Sequence, residues 1–217
     1  MTTNVTRTWE QTPFISGRFS SILEINTSSL DYRLSDHPVF SCCLIYQRQN
    51  KGEQMAKVDM LIEDFLAQKK IAVVGVSDKR ETGCNLAYRK FKEAGYQVSA
   101  VNPHIESFEG DPCYPDLGSI PDIPDGVFIL TNPRITDEVV QQCVDLGIQR
   151  VWMHCLMGTK PGLAASMTSV SPEAVRMCKE NGIEVIPGSC PNQFLKPDFG
   201  HRLMRGMFRT FGFLKVN

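Results

Sequence analysis

Lys70-Ile71-Ala72-Val73-Val74-Gly75-Val76 is an unbroken apolar run, rich in β-branched residues, with a glycine near its end. Such a run reads as a strand buried on both faces, and strands of that kind belong to parallel sheets covered by helices. Upstream, Val58, Leu61, Ile62, Phe65 and Leu66 recur at helical spacing and predict a lead-in helix over 57–69. Downstream the alternation continues. Residues 83–94 read as a helix stopped at Gly95, 97–101 as a strand ended by Asn102-Pro103, and 127–130 as a strand. Residues 135–146 read as a helix closed by Gly147, and 151–154 as a strand. Ser171-Pro172-Glu173 then opens a helix with a hydroxyl cap, a proline at its first position and a carboxylate in its first turn. Residues 183–186 form a fifth strand. The expectation is an α/β fold: a doubly wound, Rossmann-like parallel sheet of about five strands in a single domain spanning 55–195.

Composition agrees with a globular chain. Of 217 residues, 42% are hydrophobic and 22% charged. Lys+Arg number 23 against Asp+Glu 24, a balance that gives no general case for nucleic acid as partner. No apolar stretch approaches the roughly 18 residues of a membrane-spanning helix. The eight cysteines contain no CxxC pair, which argues against a zinc ribbon or a thioredoxin motif and fits a reducing cytoplasm.

Two ends depart from the pattern. Residues 1–54 are rich in Ser and Thr and hold no sustained period, so a poorly structured extension is expected. Arg7, Arg18, Arg33 and Arg48 suit a mitochondrial presequence, hence the matrix, whereas Glu10, Glu24, Asp31 and Asp36 do not. Met55, preceded by Lys51-Gly52-Glu53, offers a third reading: purine-rich codons there would place the true start at Met55. From Lys196 to Asn217 a basic amphipathic helix is expected. Its apolar Leu203, Met204, Met207, Phe208 and Phe211 are expected to pack on the domain or on a second copy, leaving the arginines wet. The competing reading is a membrane-surface helix.

In a doubly wound sheet the ligand lies beyond the C-terminal strand ends. Gly75 lets backbone approach a phosphate, Ser77 offers a hydroxyl, Lys79 and Arg80 add charge, and the Gly83 helix presents free N–H groups. An anionic, phosphorylated ligand follows. NAD would call for G-x-G-x-x-G and a carboxylate ending the second strand. The chain has G-V-S-D-K-R-E-T-G and Asn102-Pro103 instead. Cys84 sits at a helix start, where the dipole lowers a thiol's pKa. With His154, Cys155 and Cys190 it makes a candidate thiol cluster at one sheet edge, set against ordinary buried packing. The loop 155–170 is long and glycine-containing, a pattern common in lids. Trp152 and Met153 read as core, as do Cys143 and Cys178.

Taken in order, Val74-Gly75-Val76-Ser77-Asp78, Gly95-Tyr96, Val101-Asn102-Pro103, Trp152-Met153 and Cys190-Pro191 resemble the stand-alone CoA-binding proteins. These are related to the CoA-binding domain of the succinyl-CoA synthetase α subunit, and the resemblance covers roughly residues 60–192. It implies coenzyme A, or an acyl-CoA, across the switch point. The phosphates would rest on the Gly75–Arg80 loop and the nucleotide end near the second and third strand ends. Gly75, Ser77, Asn102 and Pro103 carry over, with Lys79, Arg80, Asn132 and His154 added on charge and location. Relatives carry W-M-Q-L-G where this chain has Trp152-Met153-His154-Cys155-Leu156, and the phosphorylated histidine of the synthetases belongs to a further domain. The implied role is a binding or regulatory module rather than an enzyme. Two alternatives stand beside it: an NAD(P)-binding oxidoreductase or nucleotide sensor, and an accessory subunit of an acyl-CoA ligase. A homo-oligomer is compatible with each.

Overall fold

The computed structural model describes residues 56–156, 158 and 168–211. The expectations for residues 1–54 and for most of the 155–170 loop therefore lie outside the described residues. Helix α1 covers 56–66 and leads into β1 (Lys70–Val74). Then come α2 (Gly83–Glu93), β2 (Gln97–Val101), β3 (Ser107–Phe108), β4 (Asp111–Tyr114) and β5 (Gly126–Ile129). The chain continues through α3 (Pro133–Leu146), β6 (Arg150–Met153), α4 (Pro172–Glu180), β7 (Glu184–Pro187), a 3-10 turn (Pro191–Gln193) and α5 (Phe199–Phe211).

The strands form one seven-stranded sheet in the order β3-β4-β2-β1-β5-β6-β7. All neighbours are parallel except β3 and β4. Apart from the β3–β4 hairpin, chain order thus runs outward from β1 in both directions, which places the switch point between β1 and β5. Five of the strands are those expected. The other two form a hairpin across Glu109-Gly110, both at positive φ (51° and 87°), a two-residue turn whose twist matches the strands it joins.

Strand alternation divides the core in two. Ala72, Val74, Val127, Ile129, Val151 and Met153 face α3 and α4, through Val140, Cys143, Ala174 and Cys178. Ile71, Val73, Phe128 and Trp152 face α1 and α2, through Ile62, Phe65, Tyr88 and Phe91. Trp152 is fully buried. Its ring meets Phe65 edge-on at 5.3 Å, and its Nε1 donates to the Gly188 carbonyl at 2.9 Å, so the one polar atom of a large apolar group is satisfied. Cys143 and Cys178 are buried packing residues, and burial pushes both thiols up.

Local chemistry sets the helix ends. Asn132 caps α3 through Arg134 N–H and Pro133 follows at the first position, so α3 begins two residues before the expected start. Ser171 caps α4 as expected. Helix α5 corrects an expectation. Phe208 and Met204 turn inward, but Leu203, Met207 and Phe211 point outward. Meanwhile Arg209 pairs with Asp59 of α1 at 2.8 Å and Arg205 lies over the Phe194 ring. The domain therefore seats only the Met204 and Phe208 edge of the apolar stripe, together with Arg205 and Arg209. Among the described residues no helix is long and apolar enough to cross a membrane.

Candidate functional site

The loop leaving β1 is shaped by its own residues. Gly75 takes φ 108°, and a Cβ there would stand 2.3 Å from the Leu130 carbonyl oxygen, so only glycine lets β1 exit against β5. Beyond it, Asn85 in the first turn of α2 holds the loop closed. Its Oδ1 accepts from Ser77 N–H at 3.0 Å and from the Thr82 hydroxyl at 2.8 Å. Its Nδ2 donates to the carbonyls of Ser77 (2.8 Å) and Arg80 (3.2 Å). Thr82 caps α2 by accepting from Asn85 N–H. Asn102, after β2, ties the same loop from the other side. Its Nδ2 donates to the Val76 carbonyl at 2.6 Å and its Oδ1 accepts from His104 N–H.

Two hollows adjoin this loop. One, of about 310 Å³, is lined by Ser77, Lys79, Arg80 and Arg89 together with Asp78, Glu81 and Glu109. Arg89 is engaged there by Glu81 and Glu109, at 2.8 and 2.6 Å. The other, of about 810 Å³, opens at the switch point. Its walls include Arg80, Gly83, Leu130, Asn132, His154 and Cys190, joined by Leu86, Thr168, Ser169, Asn192 and His201. The first residues of α2 and the cap of α3 both border this second cavity, so two helix N-termini meet at one space.

The structure thus brings Arg80, Asn132 and His154 to one cavity and Ser77, Lys79 and Arg80 to the neighbouring hollow. Gly75 and Asn102 shape the loop behind them, and Pro103 is exposed after β2. His154 stands at the end of β6 with its ring edge-on to Phe128 at 6.2 Å. Burial lowers its pKa to about 4, so it is neutral at pH 7: a hydrogen-bonding wall rather than a phosphate cation.

The thiol cluster does not assemble as expected. Cys84 is fully buried beneath the loop with its Sγ 3.5 Å from the Val74 carbonyl, and burial raises its pKa. Desolvation at that depth overrides the helix dipole, which corrects the expectation of a lowered pKa. Cys155 is fully buried and outside the cavity lining, whereas Cys190 lines the cavity with its thiol pushed up to about 11 by burial. Among the described residues no group of three His, Cys, Asp or Glu is placed to hold a metal ion.

Several residues of the site were not singled out by sequence reasoning. Thr82 is an N-cap whose hydroxyl also donates to Asn85 three residues on, and the threonine cap is a signal legible in E-T-G-C-N-L. Ser169, whose Oγ accepts from Thr131 N–H at 2.9 Å, and Asn192 and His201 arrive from distant segments, and no local pattern marks them.

A model of the CoA binding domain matches residues 69–193. The chain is 22% identical over 129 residues to an ADP-forming acetate–CoA ligase (I) of Archaeoglobus fulgidus, over 59% of this chain and 18% of the ligase. It therefore spans less than a fifth of that relative's length. It is 27% identical over 122 residues to the uncharacterized protein YneT of Bacillus subtilis, over 56% of this chain and 82% of that one. Among solved structures, a hypothetical protein from Pyrococcus horikoshii OT3 superposes with TM-score 0.55 at 29% identity, covering 64% of this chain and 92% of that one. A protein redesigned for binding, Prb, superposes with TM-score 0.53 at 28% identity, covering 71% and 92%.

Proposed function

The chain belongs to the CoA binding domain family, and on that premise we propose that it binds coenzyme A or an acyl-CoA at the C-terminal edge of its sheet, as a binding or regulatory module without catalysis of its own. The observation that carries this reading is the cavity of about 810 Å³ at the switch point, where the N-termini of α2 and α3 meet beside Arg80. The first turn of α2 and a guanidinium suit phosphate oxygens, and the loop Gly75–Arg80 is held in shape by Asn85. In this reading Ser77, Lys79 and Arg80 take the phosphates. The nucleotide end lies toward Asn102, Pro103 and Asn132. The neutral His154 faces an uncharged part of the ligand, an amide or thioester carbonyl. NAD is disfavoured, because the residue ending β2 is Val101 and the Asn102 that follows spends its carboxamide on the loop.

The test is thermal stability of the full chain titrated with CoA, acetyl-CoA, NAD and NADP in parallel. A ligand at a hundredfold excess over its Kd adds about 2.7 kcal/mol to the folded state. Stabilisation by CoA or acetyl-CoA alone, weakened in Arg80→Ala, is the expected result. Stabilisation by NAD or NADP alone would overturn the reading.

A second reading, an accessory subunit of an acyl-CoA ligase, is favoured by the likeness to a segment that makes up 18% of the acetate–CoA ligase. Co-expression with a nucleotide-binding partner chain tests it. Acyl-CoA formation by the pair and by neither chain alone would replace the stand-alone module with the subunit.

A further inference from the structure

Helix α5 lies outside the family-matched residues 69–193 and is seated in an unusual way. Its inner side is held by buried Phe208, by the Arg209–Asp59 pair at 2.8 Å, and by Arg205 over Phe194. Its outer side carries Phe199, Leu203, Met207 and Phe211, exposed to 82%, 64%, 48% and 64%. These recur every four residues, and at 3.6 residues per turn they fall, with Gly200 and Gly206, in one arc of roughly 140°. No ionisable side chain stands within that arc.

We propose that this outward face of α5 is where two copies of the chain pair, as an antiparallel helix–helix contact about a two-fold axis. The two glycines carry the argument beyond mere exposure. Glycine inside a helix lowers its stability relative to alanine, and packing within the chain does not require it here. A Cβ at Gly206 would meet nothing within 4 Å, and one at Gly200 would meet only the Asp198 carboxylate, at 3.4 Å. Their use is at a surface another backbone approaches. Two low points between four large side chains form the notches into which a neighbouring helix sets its ridges. A face without charge is also its own complement, as a two-fold contact demands. The four side chains expose on the order of 500 Å² per copy, so a pair buries about 1,000 Å², which reaches the lower bound of specific interfaces. A lipid surface fits less well. Helices that lie on bilayers keep several basic residues free beside the apolar face, whereas two of the three arginines of α5, Arg205 and Arg209, contact the domain and Arg202 alone stays exposed.

Sedimentation velocity of the full chain over roughly 1–100 µM tests the proposal. A concentration-dependent dimer is expected, with Leu203→Glu raising its Kd by about tenfold or more. Because Leu203 is exposed, the variant's monomer should melt as the parent does. Gly206→Ala provides a readout of opposite sign for the helix and the interface: it stabilises α5 yet weakens the dimer. A chain that stays monomeric throughout would overturn the proposal, as would a dimer indifferent to Leu203→Glu. Capture of the monomer by anionic vesicles, lost in Leu203→Glu, would assign the face to lipid instead.

Discussion

The loops that leave β1 and β7 reach the same edge of the sheet and are built in opposite ways. After β1, the strained position is a glycine, and the buried carboxamide of Asn85 is used at both ends. After β7, the strained position is Ser189, at φ 72° and fully buried. Its Oγ, the Asn192 Oδ1 and the Gln193 Oε1 are buried without a hydrogen-bond partner. The first loop takes its shape chiefly from Asn85 in the helix it leads into, with Asn102 tying it from the end of β2. The second is held by what surrounds it: Trp152 Nε1 on the Gly188 carbonyl, Cys155 N–H on the Ser189 carbonyl, and Arg205 over Phe194. An imposed conformation stores a cost, about 1–3 kcal/mol for each unpaired buried polar atom. A device whose donors and acceptors are matched within a few residues carries little such cost.

The contrast can be broken or sharpened by mutation. The largest effect belongs to Gly75→Ala, whose Cβ would meet the Leu130 carbonyl in a left-handed backbone. Urea unfolding should show a loss of about 3 kcal/mol or more. Next comes acid. His154 binds its proton near pH 4 in the folded chain and near 6.5 when unfolded. The unfolded state therefore holds the extra proton between these values, and stability falls as pH drops through that window. The full loss is on the order of 3 kcal/mol, and His154→Gln should flatten that part of the pH profile. A smaller effect, about 2 kcal/mol, is expected of Asn85→Ala, which leaves Ser77 N–H and two carbonyls without their partner. The smallest has the opposite sign. Ser189→Gly relieves both the positive φ and the unpaired hydroxyl and should raise the melting temperature, by about 1 kcal/mol of stability. Destabilisation instead would make the two loops alike.

Much of this was legible in the chain. The run 70–76, the cap at Ser171 and the glycines after helices mark strands and helices because each signal acts within a few residues. The hairpin across Glu109-Gly110 escaped notice because strands of two and four residues carry too little alternation to register. Within the site, Arg80 and Asn132 were legible as residues just past strand ends. Ser169, Asn192 and His201 were not, since their place depends on how segments far apart in sequence stack over the same edge.

The sequence by itself determined the parallel doubly wound sheet and the family to which the chain belongs. It did so because apolar period, cap chemistry and glycine placement are local properties that the backbone reads directly. Only the tertiary structure decided that Cys84 is buried and inert beneath the loop and that His154 is neutral. It also decided that α5 turns Arg205 and Arg209 toward the domain and four large apolar side chains out. Each of these depends on solvent access and on competition between distant partners for one surface, and neither quantity exists until the chain has folded.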